Sequence, residues 1–372
     1  MGTTGLTAQA IGSGDKFETS ALLVRGIIIG LVAGLILIIA QVPLFLGALQ
    51  ISPASIEVEG LAQKYLQIRV YSAPAAIALF GITGWLIAKE KTREVLILQL
   101  LLNGINILLD LVFVLKIGWG VEGVAIATLI AEWSGLIFGL WLAREGFNNG
   151  YWRNWVQILD RARLVQMARV NSDIMIRSIL LEIGFVSFLF LGSSFDDATL
   201  AANQVLIQFL KSTAYALDGF AFAAEALVGQ ALGAKNRQLF RRSVVMTSQW
   251  GVGSVILMAL AFFVFGNNII NVMTTAEDVR AVSYVYLPWM VLAPLAGVAA
   301  WMLDGIFIGA TRTADMRNMM FISFCVYLIA LALLLPNYGN HGLWASLIIF
   351  SIARGITLGF KYPALEGSVD LK

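Results

Sequence analysis

Residues 26–51 read GIIIGLVAGLILIIAQVPLFLGALQI and contain no charged side chain. A helix that rises about 1.5 Å per residue needs roughly 20 apolar residues to cross about 30 Å of hydrocarbon, and this stretch exceeds that length. Residues 243–271 and 318–353 are also uncharged. A turn predicted at Pro336 and Asn337 divides the last stretch into two. All three stretches predict helices that cross a membrane.

Composition points to the same class of protein. Of the 372 residues, 59% are hydrophobic and 13% are charged, whereas soluble proteins carry roughly 25% charged residues. The net charge of +2 gives no reason to expect a nucleic acid partner. Cys325 and His341 are the only cysteine and histidine, which argues against a disulfide framework, a metal site or a catalytic triad. The sequence therefore predicts an all-α integral membrane protein that is not an enzyme.

The hydrophobic pattern predicts ten spans and their orientation. Alternate connections between the spans differ in their number of basic residues. One set carries 18 of the 25 Lys and Arg, and the other carries three. Basic connections face the cytoplasm, so both termini of this chain are expected there. The predicted spans are residues 21–49, 65–88, 94–115, 121–143, 170–192, 199–232, 243–265, 282–309, 318–336 and 341–361.

The two halves of the chain contain weakly matching segments at an offset of 219–221 residues. Residues 6–12 match 227–233, 73–74 match 293–294, 84–87 match 305–308, and 120–123 match 339–342. This duplication predicts two parallel repeats of six transmembrane helices, with the first two helices of the first repeat missing. The deficit indicates either a truncated or mis-started twelve-span protein or the natural loss of two spans.

The repeat also predicts the domain organisation. We expect an incomplete N-terminal lobe of four spans at residues 1–143 and a C-terminal lobe of six spans at residues 170–372. A basic cytoplasmic linker at residues 144–169 joins them. No glycine-rich stretch has the Lys-Ser or Lys-Thr ending of a nucleotide-binding P-loop, so ATP is not predicted as a partner.

The chain resembles the multidrug and toxic compound extrusion (MATE) family, in particular its DinF-like branch. The resemblance is most specific at residues 3–10 (TTGLTAQA), 171–177 (NSDIMIR), 216–225 (ALDGFAFAAE) and 303–312 (LDGIFIGATR). It implies a secondary active transporter that exports small organic, often cationic, compounds by antiport with protons or sodium. Such a protein alternates access between two lobes in the lipid of a bacterial inner membrane, without a cofactor.

The sequence also admits two other functions. A flippase for lipid-linked precursors, which has a related fold, should present more basic groups in its spans than this chain does. An inactive truncated fragment is the other alternative, since the family's first helix carries a functionally important acidic residue that has no counterpart here.

Asp110 and Asn106 are the sharpest candidates for ion coupling. They lie four residues apart in a predicted span, so both side chains leave the same helix face. Carboxylate and carboxamide oxygens are hard ligands that suit a proton or a small cation. Alternatively, the pair only bonds neighbouring helices. The resemblance adds Thr128, because some family members complete a cation site with a Thr on the next helix.

A second polar stripe lies in the predicted span 199–232. Lys211, Tyr215, Asp218 and Glu225 follow one another at helical spacing in an otherwise apolar stretch. Carboxylates beside an aromatic ring would suit cationic substrates in an aqueous cavity. Alternatively, Lys211 and Asp218 form a structural ion pair.

Two further pairs are predicted to be structural. Asp173 and Arg177 lie four residues apart and are expected to form a salt bridge. Pro74 and Pro294 occupy equivalent places in the two repeats, and each can bend its helix. The prolines are either hinges for alternating access or simple packing kinks.

Overall fold

The computed structural model describes residues 2–51 and 55–369, and within these ranges the chain is helical and contains no β-strand. The side chains of residues 48–51 lie outside the description. The helices are α1 (Gly2–Gly12), α2 (Lys16–Ile39), α3 (Gln41–Ile51), α4 (Ile56–Arg69), α5 (Ala73–Ala88), α6 (Thr92–Asp110), α7 (Gly120–Leu142), α8 (Trp155–Ile158), α9 (Arg161–Gly192), α10 (Asp197–Gly233), α11 (Arg237–Met273), α12 (Glu277–Gly309) and α13 (Thr313–Gly367).

The chain forms two compact units, residues 3–165 and 166–372. In the first unit, α2 packs against α5 through glycines four residues apart. A Cβ atom on Gly30 would lie 2.5 Å from the backbone nitrogen of Ala78, and one on Gly26 would lie 3.5 Å from the Cα atom of Gly81. Small residues at this spacing allow helix backbones to approach closely in lipid. The glycines of residues 26–34 therefore determine how closely α2 and α5 can pack.

The predicted linker packs largely against the first unit. Short 3-10 turns at Arg144–Phe147 and Tyr151–Arg153 precede α8. Ile158 is fully buried in an apolar cluster with Ala21 and Val24 of α2. The boundary between the two units falls after residue 165, so most of segment 144–169 belongs to the first unit.

The second unit contains most of α9 together with α10 to α13. Glycines again mark the closest helix pair, because a Cβ atom on Gly305 of α12 would lie 2.6 Å from the carbonyl oxygen of Ala221 on α10. Elsewhere in the core, Phe188 meets Trp344 edge to face with ring centroids 4.8 Å apart. The indole nitrogen of Trp344 donates to Asn203, a fully buried side chain.

Eight helices of the described residues are long and apolar enough to cross a membrane. α10, which carries Lys211, Asp218 and Glu225, is not among them, whereas the 55-residue α13 is one of the eight. The count of ten spans, the exact repeat and the missing helices therefore stay predictions.

The break in α13 lies at a different residue from the predicted turn. The helix continues through Pro336 and Asn337, and the non-helical residue is Gly339, with φ of 54° and ψ of −131°. Glycine adopts positive φ without the steric penalty that a Cβ atom would impose, so the helical dihedral angles are interrupted at Gly339. The turn predicted at residues 336–337 lies two residues before this break, which falls inside the predicted gap between spans 318–336 and 341–361.

The two predicted hinge prolines occupy different local structures. Pro74 lies in the first turn of α5, directly after a 3-10 turn at Val70–Ser72 that connects α4 to α5. Pro294 lies in the interior of α12, where proline removes a helical hydrogen bond. Both positions allow a bend, and the hinge role stays a prediction.

Candidate functional site

The predicted cation site lies between α6 and α7 of the first unit. The side-chain amide of Asn106 donates to the hydroxyl oxygen of Thr128 at 3.0 Å. That hydroxyl in turn donates to the carbonyl oxygen of Val124, one turn earlier in α7, at 2.9 Å. The structure thus brings Asn106 and Thr128 into direct contact across two helices.

Asp110 is the last residue of α6, one turn beyond Asn106. The side chain is partly buried, and its Oδ1 atom is buried without a hydrogen-bond partner. A buried acceptor that lacks a donor costs free energy unless a proton, a cation or water satisfies it. Asp110 is therefore the residue of this site that most needs a ligand.

A change of helix type follows Asp110 immediately. Residues Leu111–Lys116 form a π-helix, in which backbone hydrogen bonds span one residue more than in an α-helix. Such segments are rare and are frequently found at functional sites. Sequence patterns carry no signal for the π-helix, since most of its residues are ordinary apolar side chains.

An ion pair that the sequence could not assign lies close to this site. Arg69 of α4 binds Glu132 of α7 through two hydrogen bonds of 2.7 Å each. Glu132 lies one turn beyond Thr128 on α7. Neither residue has a local partner of opposite charge in the sequence, and only the packing of α4 on α7 brings them together. The pair therefore fixes the helix that carries Thr128.

The predicted polar stripe of the second unit lies along α10. Tyr215 is 71% exposed and Lys211 is exposed, whereas Asp218 is partly buried and Glu225 is only 1% exposed. No ion pair joins Lys211 to Asp218 in the part of the chain that the structure describes. The stripe therefore changes from exposed to buried along the helix, and its substrate role stays a prediction.

The predicted salt bridge between Asp173 and Arg177 is not formed in the described part of the chain. Asp173 is bound instead by Arg317, at 2.6 Å, and by the hydroxyl of Thr313, at 3.1 Å. Arg177 binds Asp304 of α12. Helical spacing allowed the local pair, but residues of other helices offer both side chains better partners.

Asp304 is the centre of a buried ionic cluster in the second unit. Its Oδ2 atom accepts from Arg177 and from Arg354, the latter at 2.7 Å. All three residues are buried. Asp218 and Glu225 lie within electrostatic range of Arg177. The α10 carboxylates thus lie near a strongly cationic group within the same unit.

Comparison with known proteins decides the family. The model of the MatE family matches residues 1–112 and 174–334, which is most of the chain. The chain belongs to the MatE family. DNA damage-inducible protein F of Escherichia coli is 37% identical over 360 residues, which cover 96% of this chain and 78% of that protein. This similarity also supports the DinF-like branch of the MATE family.

Other relatives support the same family. A probable multidrug resistance protein NorM of Bacillus cereus is 24% identical over 375 residues, covering 96% of this chain and 80% of that protein. A MATE protein in the straight conformation superposes with a TM-score of 0.90 at 17% identity, covering 100% of this chain and 84% of that one. The Vibrio cholerae MATE transporter VcmN in its bent form gives a TM-score of 0.84 at 23% identity, with 100% and 84% covered.

Membership of the MatE family confirms two predictions made from the sequence. MATE proteins are multidrug and toxic compound efflux transporters of the membrane, so the predictions of an integral membrane protein that is not an enzyme are confirmed.

Proposed function

We propose that this MATE protein exports small organic, often cationic, compounds in exchange for protons or sodium, and that Asp110 is its ion-coupling residue. The observation that supports this most is the buried Oδ1 atom of Asp110, which has no hydrogen-bond partner. It lies one turn from the contact between Asn106 and Thr128. A group that lacks a partner inside a membrane helix indicates a site for a proton or a cation.

The oxygen atoms of the site suit either ion. Asp110 supplies a carboxylate, Asn106 a carbonyl oxygen and Thr128 a hydroxyl oxygen, and hard oxygen ligands of this kind suit small cations. A proton would instead neutralise Asp110 directly. Either ion removes a negative charge from the membrane interior and so changes the relative free energies of the inward-facing and outward-facing states. Movement of one charge down a gradient supplies about 2.3 kcal/mol per 100 mV.

The substrate is proposed to contact the exposed end of the α10 stripe. Tyr215 presents an aromatic ring, and Asp218 presents a carboxylate one turn later. A cation is attracted both to the face of an aromatic ring and to a carboxylate. The proposal includes bends at Pro74 and Pro294 during alternating access, cytoplasmic termini and a bacterial inner membrane location.

The test compares efflux by the chain and its Asp110→Asn variant in reconstituted vesicles. A fluorescent organic cation is the substrate, and a proton or sodium gradient is imposed. We expect the variant to lose roughly tenfold or more of its gradient-driven rate, which corresponds to about 1.4 kcal/mol. Asp197→Asn is the matched control, because Asp197 is exposed in the first turn of α10.

Two outcomes would contradict the proposal separately. Undiminished, ion-dependent efflux by Asp110→Asn would show that another residue couples the ion. Efflux that follows neither gradient in the unaltered chain would contradict antiport itself. A sodium-dependent rise in melting temperature, measured on the same two proteins, reports binding without requiring transport.

A further inference from the structure

A cavity of about 510 Å³ lies in the first unit, where α2 begins and α5 ends. Its lining combines the side chains of Lys16 and Lys89 with Ser20, Trp85, Glu145 and Asn148. Trp85 and Ser20 are buried, so part of the wall is rigid core. The cavity is separate from the Asn106, Asp110 and Thr128 site, and none of those three residues lines it.

The cavity carries more positive than negative charge. Lys89 and Lys91, from the short α5–α6 connection, both bind the carboxylate of Glu145, with Lys91 Nζ 2.8 Å from Oε2. The amine of Lys89 also lies 4.8 Å from the centre of the Trp85 ring. Lys16 forms no ion pair within the described residues. The lining therefore holds two amines, those of Lys16 and Lys89, and one carboxylate, that of Glu145.

The position of these charges suits a phosphate at a membrane surface. Lys16 starts α2 and Lys89 follows the last residue of α5, so both lie where apolar helices end. The connection that contains Lys89 belongs to the basic set that the positive-inside rule places at the cytoplasm. The cytoplasmic leaflet of a membrane carries anionic lipids, and basic pockets between helices at that depth bind their head groups.

We propose that this cavity binds the phosphate of an anionic lipid head group from the cytoplasmic leaflet, in competition with Glu145. The bound phosphate takes hydrogen bonds from Lys16 and Lys89. Glu145 then loses one of the two amines that hold it, and the segment 144–153 is released from the α5–α6 connection. The inference rests on the proposed orientation of the chain and not on ion coupling at Asp110.

The role of Glu145 distinguishes a specific site from a general attraction to lipid. It is the one acidic side chain in the described lining, and it occupies the amine of Lys89, one of the two that the phosphate needs. Removal of its charge should therefore strengthen lipid binding, whereas removal of Lys16 or Lys89 should weaken it. A non-specific surface effect would follow net charge, so Glu145→Gln would then change retention no more than Glu90→Gln, which neutralises an exposed acid of the α5–α6 connection.

Binding is tested on the full chain in detergent by native mass spectrometry with phosphatidylglycerol and, separately, with phosphatidylcholine. We expect retention of phosphatidylglycerol to fall about fivefold per lysine, and so roughly 25-fold in the Lys16→Gln, Lys89→Gln double variant. Glu145→Gln should retain the lipid more strongly. Lys116→Gln is the control, since Lys116 is exposed and lies in the opposite set of connections.

The alternative outcomes are distinct. Equal retention of both lipids, or equal effects of the double variant and Lys116→Gln, would overturn the site. Weaker lipid retention by Glu145→Gln would overturn the competition. In another outcome, inorganic phosphate raises the melting temperature, with the same dependence on Lys16 and Lys89, while phosphatidylglycerol is not retained. That result would show that the cavity binds free phosphate and not a lipid head group. Equal elution volumes and melting temperatures of the variants exclude misfolding as the cause.

Discussion

The guanidinium of Arg25 donates from its Nε atom to the backbone carbonyl of Ile158 at 2.6 Å, and so connects α2 to the segment that precedes the second unit. Arg25 also donates to the carbonyl of Gln157 at 2.9 Å and to Glu18 at 2.6 Å. Glu18 continues the network to Arg163 at 2.7 Å. The side chain of Arg25 is completely buried. This network holds the chain on the first unit as far as the start of α9.

Arg25→Ala should weaken the first unit substantially. Removal of one partner of a buried, hydrogen-bonded pair costs about 3–5 kcal/mol, and two backbone carbonyls would also lose their donor. Hydrogen exchange should rise at residues 155–160, and the melting temperature should fall. Arg93→Ala is the control, because Arg93 is exposed. Unchanged protection at residues 155–160 would show that the apolar contacts of Ile158 hold the segment without Arg25.

The pair of Arg69 and Glu132 should behave as a unit. Glu132→Gln leaves the partly buried guanidinium with a weaker partner, so we expect a lower melting temperature and slower transport. The charge-exchanged variant, Arg69→Glu with Glu132→Arg, restores the attraction and should recover part of both losses. If the exchanged variant is as impaired as the sum of the single variants Arg69→Glu and Glu132→Arg, the pair does not stabilise the packing of α4 on α7.

Membrane helices could be predicted from the sequence, whereas ion pairs between helices could not. Charge-free stretches and basic connections predict membrane helices because lipid imposes the same requirement on every residue of a span. An ion pair between helices depends on packing, and packing has no signal at a fixed spacing. Asp173 and Arg177 illustrate this, since their spacing allows a local bond that Arg317 and Asp304 replace.

The candidate cation site was partly predictable for the same reason. Asn106 and Asp110 share a helix face, which helical periodicity alone indicates. The contact with Thr128 crosses to another helix, and only a resemblance to known transporters suggested it. The π-helix after Asp110 had no signal at all, because backbone hydrogen bonds of either type suit the same apolar residues.

Asp304→Asn should be among the most damaging single substitutions in the second unit. Loss of the carboxylate leaves Arg177 and Arg354 buried with like charges and no shared counter-ion. Breaking such a cluster costs about 3–5 kcal/mol. We expect reduced yield and a clearly lower melting temperature, compared with Glu182→Gln as an exposed control on α9. A variant as stable as that control would show that Asp218 and Glu225 suffice to neutralise the arginines.

Thr128→Val tests the cation site without a change of charge. The substitution keeps the shape of the side chain but removes the hydroxyl that accepts from Asn106. We expect the ion concentration needed for half-maximal transport to rise roughly tenfold, which corresponds to about 1.4 kcal/mol. Thr247→Val is the matched control, because the Thr247 hydroxyl also donates to its own helix, at Ser243, but lies in the second unit. Equal ion dependence in both variants would exclude Thr128 as a ligand.

The contact of Glu145 with Lys89 and Lys91 should depend on pH. Partial burial raises the pKa of Glu145, but hydrogen bonds from Lys89 and Lys91 and their charges outweigh it and lower the pKa below the ordinary value of 4.5. An acid with a lowered pKa contributes its stabilisation fully above that ordinary value and loses it as the pH falls through the lowered pKa. The segment around Glu145 should therefore stay protected at neutral pH and open only below about pH 4.5.

Hydrogen exchange or limited proteolysis at residues 144–153, followed between pH 7 and 3 (about the range that spans this carboxyl group), measures the opening. In Glu145→Gln the segment should already be open at neutral pH, and its protection should no longer change as the solution is acidified. Protection that falls with the same pH profile in this variant would assign the opening to another carboxylate. Asp196→Asn serves as the comparison, because hydrogen bonds from Thr199 lower the pKa of Asp196 at the start of α10, in the second unit.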